Sequence, residues 1–248
     1  MTHQNLKQRI AGGGRLVGTF VKTPSPIIIE VLGTTSLDFV VLDAEHAPFG
    51  RLEIDSCLHA ARATGMASLV RVETSEPHHL LQALDSGAEG VLVPHVRSVQ
   101  AARAVVDAAH YRAGGRGFAG STRAAGYTTV PFGEHLAASA QRTAVIGQIE
   151  DLEAVDEIDE IAAIPGLDGL FVGPVDLAVS MGAESPASPE VLAMVERIAT
   201  AVSKAGVPLG IFIANTADIV RFEALGFSFF IAQSDHVFLR NGANALKA

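Results

Sequence analysis

Two apolar runs near the middle of the chain end on carboxylates: Ala144-Val145-Ile146-Gly147-Gln148-Ile149-Glu150, then Leu170-Phe171-Val172-Gly173-Pro174-Val175-Asp176. A run that apolar is a buried strand, so an acid at its exit is costly unless something needs it there. On neighbouring parallel strands, the two acids would share one mouth and suit a hard divalent cation. Other reactive side chains stand at comparable exits: Asp43-Ala44-Glu45-His46, Arg71, Pro94-His95, Gln148, Asn215 and Gln233-Ser234-Asp235. A guanidinium there can hold an oxyanion, and an imidazole can move a proton. Each also has a structural reading. Glu150 and Asp176 could cap the helices that follow. Arg71 could sit in an internal ion pair, His46 could be a satisfied structural imidazole, and His95 is structural or substrate-lining. His78 and His79 open a helix and are read as solvated.

The elements that must position these residues alternate regularly. Continuous apolar runs at 16–21, 39–44, 68–72, 90–94, 145–149, 169–172, 207–213 and 228–232 read as buried parallel strands. Helical patterns separate them at 26–33, 52–64, 77–86, 99–110, 152–163, 189–205 and 217–225, several closing on glycine. With a short helical segment at the C-terminus, this predicts an α/β fold: one (β/α)8 TIM barrel spanning 1–248. A doubly wound open sheet would carry a glycine-rich phosphate turn after its first strand. Val21-Lys22-Thr23-Pro24-Ser25-Pro26 is not one. One long insertion, 111–142, interrupts the rhythm with a glycine- and arginine-rich loop and a short helix at 133–139, and is expected to act as a lid or binding loop.

Composition excludes several classes. The chain has 248 residues, 48% hydrophobic and 18% charged, which supplies ample core. A formal net charge of −9 argues against nucleic acid or an anionic membrane surface as partner. Cys57 is the single cysteine, so no intramolecular disulfide or multi-cysteine metal site is available. The first fifteen residues carry no signal-peptide stretch and no run reaches membrane-spanning length, as expected of a soluble cytoplasmic protein.

Taken in order, Leu42-Asp43-Ala44-Glu45-His46-Ala47-Pro48, Val70-Arg71, Leu92-Val93-Pro94, Gln148-Ile149-Glu150, Val172-Gly173-Pro174-Val175-Asp176-Leu177 and Gly210-Ile211-Phe212-Ile213-Ala214-Asn215 resemble the HpcH/HpaI aldolase family. These are class II pyruvate aldolases, and the resemblance runs from about Leu16 to Leu246. It implies reversible retro-aldol cleavage of a 4-hydroxy-2-oxo acid to pyruvate, or a close 2-oxo acid, plus an aldehyde. Glu150 and Asp176 match the family's metal ligands. Their all-oxygen shell suits Mg2+ or Mn2+, with Co2+ or Zn2+ also accommodated, and no organic cofactor is implied.

The same resemblance assigns further roles. Arg71 shares the enolate oxyanion with the metal, Gln148 orients pyruvate, and the backbone at Gly173, Pro174, Val175 and Asp176 holds its carboxylate. His46 is the base, acting through a metal-bound water and oriented by Asp85; without the resemblance Asp85 reads as a helix C-terminal residue. Asp43 and Glu45 partner the metal's waters, and Ile213 contacts substrate. Arg123, in Ser121-Thr122-Arg123-Ala124-Ala125-Gly126-Tyr127, would bind the aldehyde partner, or else form a loop ion pair. This run departs from better-known members, as does Gln233 where a small residue is usual, so acceptor preference stays open. A homo-oligomer is implied, commonly a hexamer, with the C-terminal helix exchanged between subunits.

Three rival readings remain. A citrate lyase β-like CoA-thioester lyase shares the superfamily. A Schiff-base aldolase would need a lysine at the mouth, and of Lys7, Lys22, Lys204 and Lys247 only Lys22 qualifies. A barrel that merely binds an oxo acid would not need ligands, arginine and base together.

Overall fold

A computed structural model of the chain describes residues 4–247. Eight strands form one closed, all-parallel barrel: β1 Leu16–Val21, β2 Phe39–Asp43, β3 Ala67–Arg71, β4 Gly90–Val93, β5 Ala144–Ile149, β6 Gly169–Val172, β7 Leu209–Ile213 and β8 Phe229–Ser234. Each strand pairs with its sequence neighbour and β1 closes on β8, so every edge is satisfied. The period-2 alternation of a strand sorts side chains into two cores. Val40, Leu42, Val70, Val91, Val93, Leu170, Val172 and Ile211 face outward and pack under the helices. Phe20, Phe39, Val41, Leu69, Leu92, Ile146, Phe171 and Phe229 face inward and fill the barrel.

Two glycines make that filling fit. A Cβ on Gly18 would lie 2.6 Å from the Phe39 ring, and one on Gly210 would lie 2.1 Å from the Phe229 ring. Gly210→Ala is therefore expected to destabilise the fold by about 3 kcal/mol, the upper range for overpacking a dense core. Gly14→Ala, where an added Cβ meets nothing within 4 Å, should change stability by less than about 0.5 kcal/mol. Urea midpoints of the two variants check this, and equal midpoints would contradict the packing account.

The surrounding helices are α2 Pro26–Leu32, α3 Arg51–Thr64, α4 Pro77–Asp85, α5 Val99–Ala109, α6 Phe132–Arg142, α7 Leu152–Asp156, α8 Ile158–Ala162, α9 Pro174–Ser180, α10 Pro189–Ala205, α11 Ile219–Glu223 and α12 Asp235–Ala245. An N-terminal helix unforeseen in the sequence, α1 Leu6–Ala11, precedes them. Its Leu6 and Ile10 belong to the interior cluster and cork the barrel floor. Asn5 and Gln8 form a reciprocal capping box that starts it.

The helix expected at 152–163 is broken at Glu157, whose φ of −103° and ψ of 15° leave helical geometry. The Glu157 carboxylate instead accepts Val99 N–H at 2.7 Å, serving the start of α5. Gly173 and Pro174 form a helix start, with Pro174 in the first turn of α9 where its missing N–H costs nothing. Among the described residues no helix is long and apolar enough to cross a membrane.

The insertion 111–142 does not arch over the mouth. Arg116 lies over the Tyr111 ring at 4.5 Å and donates to Asp85 Oδ1 at 2.5 Å. Arg123 donates to both Asp55 oxygens at 2.8 and 2.7 Å. These ion pairs fasten the insertion to the outer flank, in the groove between α3 and α4. The Tyr111, Phe118, Phe132 and His135 rings pack together beside them.

Candidate active site

The carboxyl ends of the strands open on a cavity of about 210 Å3. It is lined by Phe20, Lys22, His46, Arg71, Gln148, Phe171, Gly173, Pro174, Val175, Asp176, Phe212, Gln233, Ser234 and Val237. Alternation explains its polar floor. Phe39 and Val41 face the barrel interior, so Asp43 at the end of β2 does too; Ala67 and Leu69 aim Arg71, and Ala144 and Ile146 aim Gln148.

Asp43 and Arg71 are register partners across β2 and β3. Arg71 Nε donates to Asp43 Oδ1 at 2.9 Å, and Arg71 Nη2 lies 2.8 Å from Asp43 Oδ2. Lys22 Nζ stands 3.2 Å from the same Oδ2, and Asp43 also accepts His46 N–H at 3.1 Å. The Arg71 guanidinium sits 4.3 Å from the Phe20 ring centroid, which holds the fork against an aromatic face. Burial presses the Asp43 carboxyl upward, yet the hydrogen bond and charge of Arg71 prevail and hold it below the usual carboxylate range.

Around β5 the acids behave oppositely. Glu150 is buried; its Oε1 accepts His95 N–H at 2.9 Å and its Oε2 takes Gln148 Nε2. Burial is the main force raising its pKa, and the charge of Asp176 adds to it. Glu45 is pushed up to about 7, chiefly by burial, against the pull of Arg71 Nε at 3.3 Å. Burial first, then the Arg71 charge, lowers the pKa of His46, whose Nε2 lies 3.7 Å from Glu45 Oε2. A histidine so shifted is neutral near pH 7 and able to accept a proton.

The residues also fit a divalent cation. One ligand atom each from Glu45, His95 and Glu150 lie within 4.8 Å of one another. Gln148 Oε1 is buried with no hydrogen-bond partner. Two carboxyls whose pKa values are raised gain most from a cation that favours their charged form.

This has a measurable consequence. Because Glu45 and Glu150 bind protons more tightly in the folded state, the metal-free fold loses stability as pH rises through their folded values, about 7 for Glu45. A cation offsets that loss only where the carboxyls are charged. The rise in Tm produced by saturating MnCl2 should therefore be clearly larger near pH 8 than near pH 5.5. Equal shifts at both would contradict this electrostatic picture.

Several expected site residues lie elsewhere. Asp85 ends α4, a helix running away from the mouth, and its carboxylate is engaged by Arg116. Within this chain it does not orient His46. Arg123 shares the flank cavity with Asp85, Asp55, Ser121 and Tyr127, and is ion-paired as the second reading of it foresaw. Ile213 turns into the core beneath the helices, while its neighbour Phe212 lines the cavity, a one-residue difference that alternation dictates. Asn215 caps the 3-10 turn Thr216–Asp218 by accepting Ala217 N–H at 3.0 Å. Asp235 accepts the N–H groups of Lys22 at 2.8 Å and Thr23 at 3.1 Å, fixing the loop that carries Lys22.

Asp151 was not anticipated. Its Oδ2 lies 2.9 Å from His95 Nδ1 and 3.1 Å from Arg97 Nε. The signal was the adjacent pair Glu150-Asp151 at a strand exit.

A closed parallel barrel with convergent acids, imidazole and guanidinium at its carboxyl end defines an enzyme of the (β/α)8 class. The family model described as HpcH/HpaI aldolase/citrate lyase matches residues 16–241, and the chain belongs to that family. It is 37% identical over 232 residues to a 5-keto-4-deoxy-D-glucarate aldolase of Klebsiella pneumoniae, covering 93% of this chain and 90% of the relative. It is 33% identical over 245 residues to the 4-hydroxy-2-oxo-heptane-1,7-dioate aldolase of Salmonella typhimurium, covering 98% and 92%. Among solved structures, an HpcH/HpaI aldolase/citrate lyase family protein from Burkholderia cenocepacia matches with a TM-score of 0.92 at 33% identity, over 98% of this chain and 97% of the other. Aldolases are carbon–carbon lyases, and this chain is an enzyme of that class.

Proposed function

We propose that the chain is a divalent-metal-dependent class II aldolase. It would cleave a 4-hydroxy-2-oxo acid reversibly to pyruvate, or a close 2-oxo acid, and an aldehyde. The observation that carries this reading is the paired floor of the cavity. A guanidinium fixed by Asp43 and a buried amide with a free Oε1 face the same small space as the α9 start and Asp176.

Glu150 and Asp176 are the expected ligands of the cation, with Glu45 beside them. When bound, the cation supplies Lewis-acid polarisation of the keto oxygen. The protein's own groups do the rest. The Arg71 fork meets charge developing on that oxygen, already oriented and needing no reorganisation. Gln148 orients the oxo acid, and the N–H groups of Val175 and Asp176 receive its carboxylate. His46, neutral near pH 7, takes the proton of the 4-hydroxyl. The C3–C4 electron pair passes into the enolate of pyruvate, the aldehyde departs, and C3 is then protonated. Phe20, Phe171, Phe212 and Val237 exclude water around the enolate.

Within one chain Glu45 is the acid beside His46. The orienting role expected of Asp85 requires a second copy of the chain. A homo-oligomer, commonly a hexamer in this family reading, is supported by the exposed Leu239 and Leu246 on and after α12, at 75% and 87%. Exchange of α12 between subunits belongs to the same proposal.

The direct test offers pyruvate and a panel of aldehydes to the enzyme with Mn2+, Mg2+, Co2+ or Zn2+. Metal-dependent formation of a 4-hydroxy-2-oxo acid, abolished by EDTA, is expected. Full activity in EDTA, with a borohydride-trapped pyruvate adduct on Lys22, would replace this reading by Schiff-base chemistry.

A further inference from the structure

Lys22 has no step in the reaction proposed above, yet it lines the cavity. Strand alternation puts it there: Phe20 points into the barrel, Val21 points out under the helices, and Lys22 points in again. Asp235 clamps its loop by accepting the N–H groups of Lys22 and Thr23 at 2.8 and 3.1 Å. The Lys22 Nζ stands 3.2 Å from Asp43 Oδ2. Arg71 Nη2 is nearer to that oxygen, at 2.8 Å, while Arg71 Nε and the His46 N–H take Oδ1. Asp43 is thus engaged mainly by Arg71, and among the described residues Lys22 has no other acidic partner. An ammonium carries three donors, so Lys22 keeps N–H groups for a ligand.

Position decides which ligand. In the closed strand order β1 lies opposite β5, so Lys22 stands across the mouth from Gln148 and Glu150. The 2-oxo acid is held on the β5 and β6 side in the proposed reaction, and the aldehyde fragment then extends toward β1 and β8. That wall consists of Phe20, Phe212 and Val237, with Lys22, Gln233 and Ser234 as its polar groups. Gln233 adopts a left-handed backbone, φ +56°, and its Nε2 donates to Ala214 O at 2.9 Å. A fixed side chain where glycine would be the easy choice narrows the wall.

We propose that Lys22 selects the acceptor: its ammonium receives an anionic group on a small aldehyde. This names a substrate class for the aldolase reading above and rests on it. A cation beside apolar rings in a confined cavity attracts an anion more strongly than it would in open water. The chain as a whole carries −9 and repels anions, so an acidic acceptor needs a local cation.

Matched acceptors test this: glyoxylate against glycolaldehyde, and glyceraldehyde 3-phosphate against glyceraldehyde, each with pyruvate and Mn2+. The first pair reads a carboxylate and the second a phosphate. Wild-type enzyme is expected to give the higher kcat/KM with the anionic member of at least one pair. Lys22→Gln should lower that anionic-to-neutral ratio at least about tenfold, mainly through the KM of the anionic aldehyde, and Lys22→Arg should keep it within about threefold. Any loss common to both aldehydes, such as a loosened Asp43–Arg71 pair, cancels in the ratio. The Lys22 assignment is overturned by a wild type without anionic preference, by a ratio unchanged in Lys22→Gln, or by one that falls equally in Lys22→Arg. Loss of neutral-aldehyde turnover in Lys22→Gln overturns it too, because Lys22 would then serve the reaction itself. In each case deuteration of pyruvate by the wild-type enzyme in D2O leaves the aldolase reading standing, and its absence overturns both.

Discussion

Glu150→Gln is expected to abolish catalysis while sparing the fold. The Glu150 carboxylate is buried, and its raised pKa means the surroundings already favour a neutral group. An amide of the same shape should leave the metal-free Tm near pH 8 unchanged or slightly higher. Metal affinity should fall about 100-fold and pyruvate enolisation at least about 1,000-fold, the scale on which losing a metal's charge stabilisation acts. Calorimetric titration with Mn2+ and a pyruvate exchange assay read the two losses. A variant with normal affinity and rate would remove Glu150 from the centre of the site.

Asp43→Ala is expected to be the most destabilising single substitution at the mouth. Asp43 is fully buried and holds Arg71 at two points, with Lys22 at a third. Without it, Arg71 keeps only Glu45 at 3.3 Å and the Phe20 ring. Breaking one partner out of a buried pair costs about 3–5 kcal/mol, because the other charge is left uncompensated. Removing both charges together is far milder. Asp43→Ala combined with Arg71→Met should recover much of the lost stability, measured by urea unfolding, yet no activity. Recovery of turnover in the double variant would show that Arg71 serves the fold rather than the reaction.

Most strands were legible because each is a short apolar run bounded by glycine or a polar exit. The barrel followed from counting them. Side-chain direction was harder to read. At the end of β7 the choice between Phe212 and Ile213 depends on strand phase, and only the closed register settles that Phe212 faces the cavity. Asp85 is assigned by the family resemblance and Arg123 by its place in a loop that departs from the family, but where Arg123 sits and what engages Asp85 depend on the path of the insertion 111–142. Long-range ion pairs with Arg116 and Asp55 set that path, and no local pattern encodes them. The cork helix α1 did carry a local signal, the Asn5-x-x-Gln8 capping box with Leu6 and Ile10 four apart. His95 and Asp151 looked ordinary in sequence. Their importance comes from a left-handed turn that brings one ring between acids from two other strand exits.

The paired carboxylates that follow β5 and begin α9 therefore belong to a wider ring of acids, in which Glu150 accepts from the His95 N–H and from Gln148 Nε2. In the proposed reaction this ring and Arg71 make the enolate of pyruvate. Proton NMR of pyruvate in D2O measures that step with no knowledge of the aldehyde. Methyl deuteration by the Mn2+-loaded enzyme is expected, stopped by EDTA and by Glu150→Gln. Undiminished exchange in EDTA would contradict it.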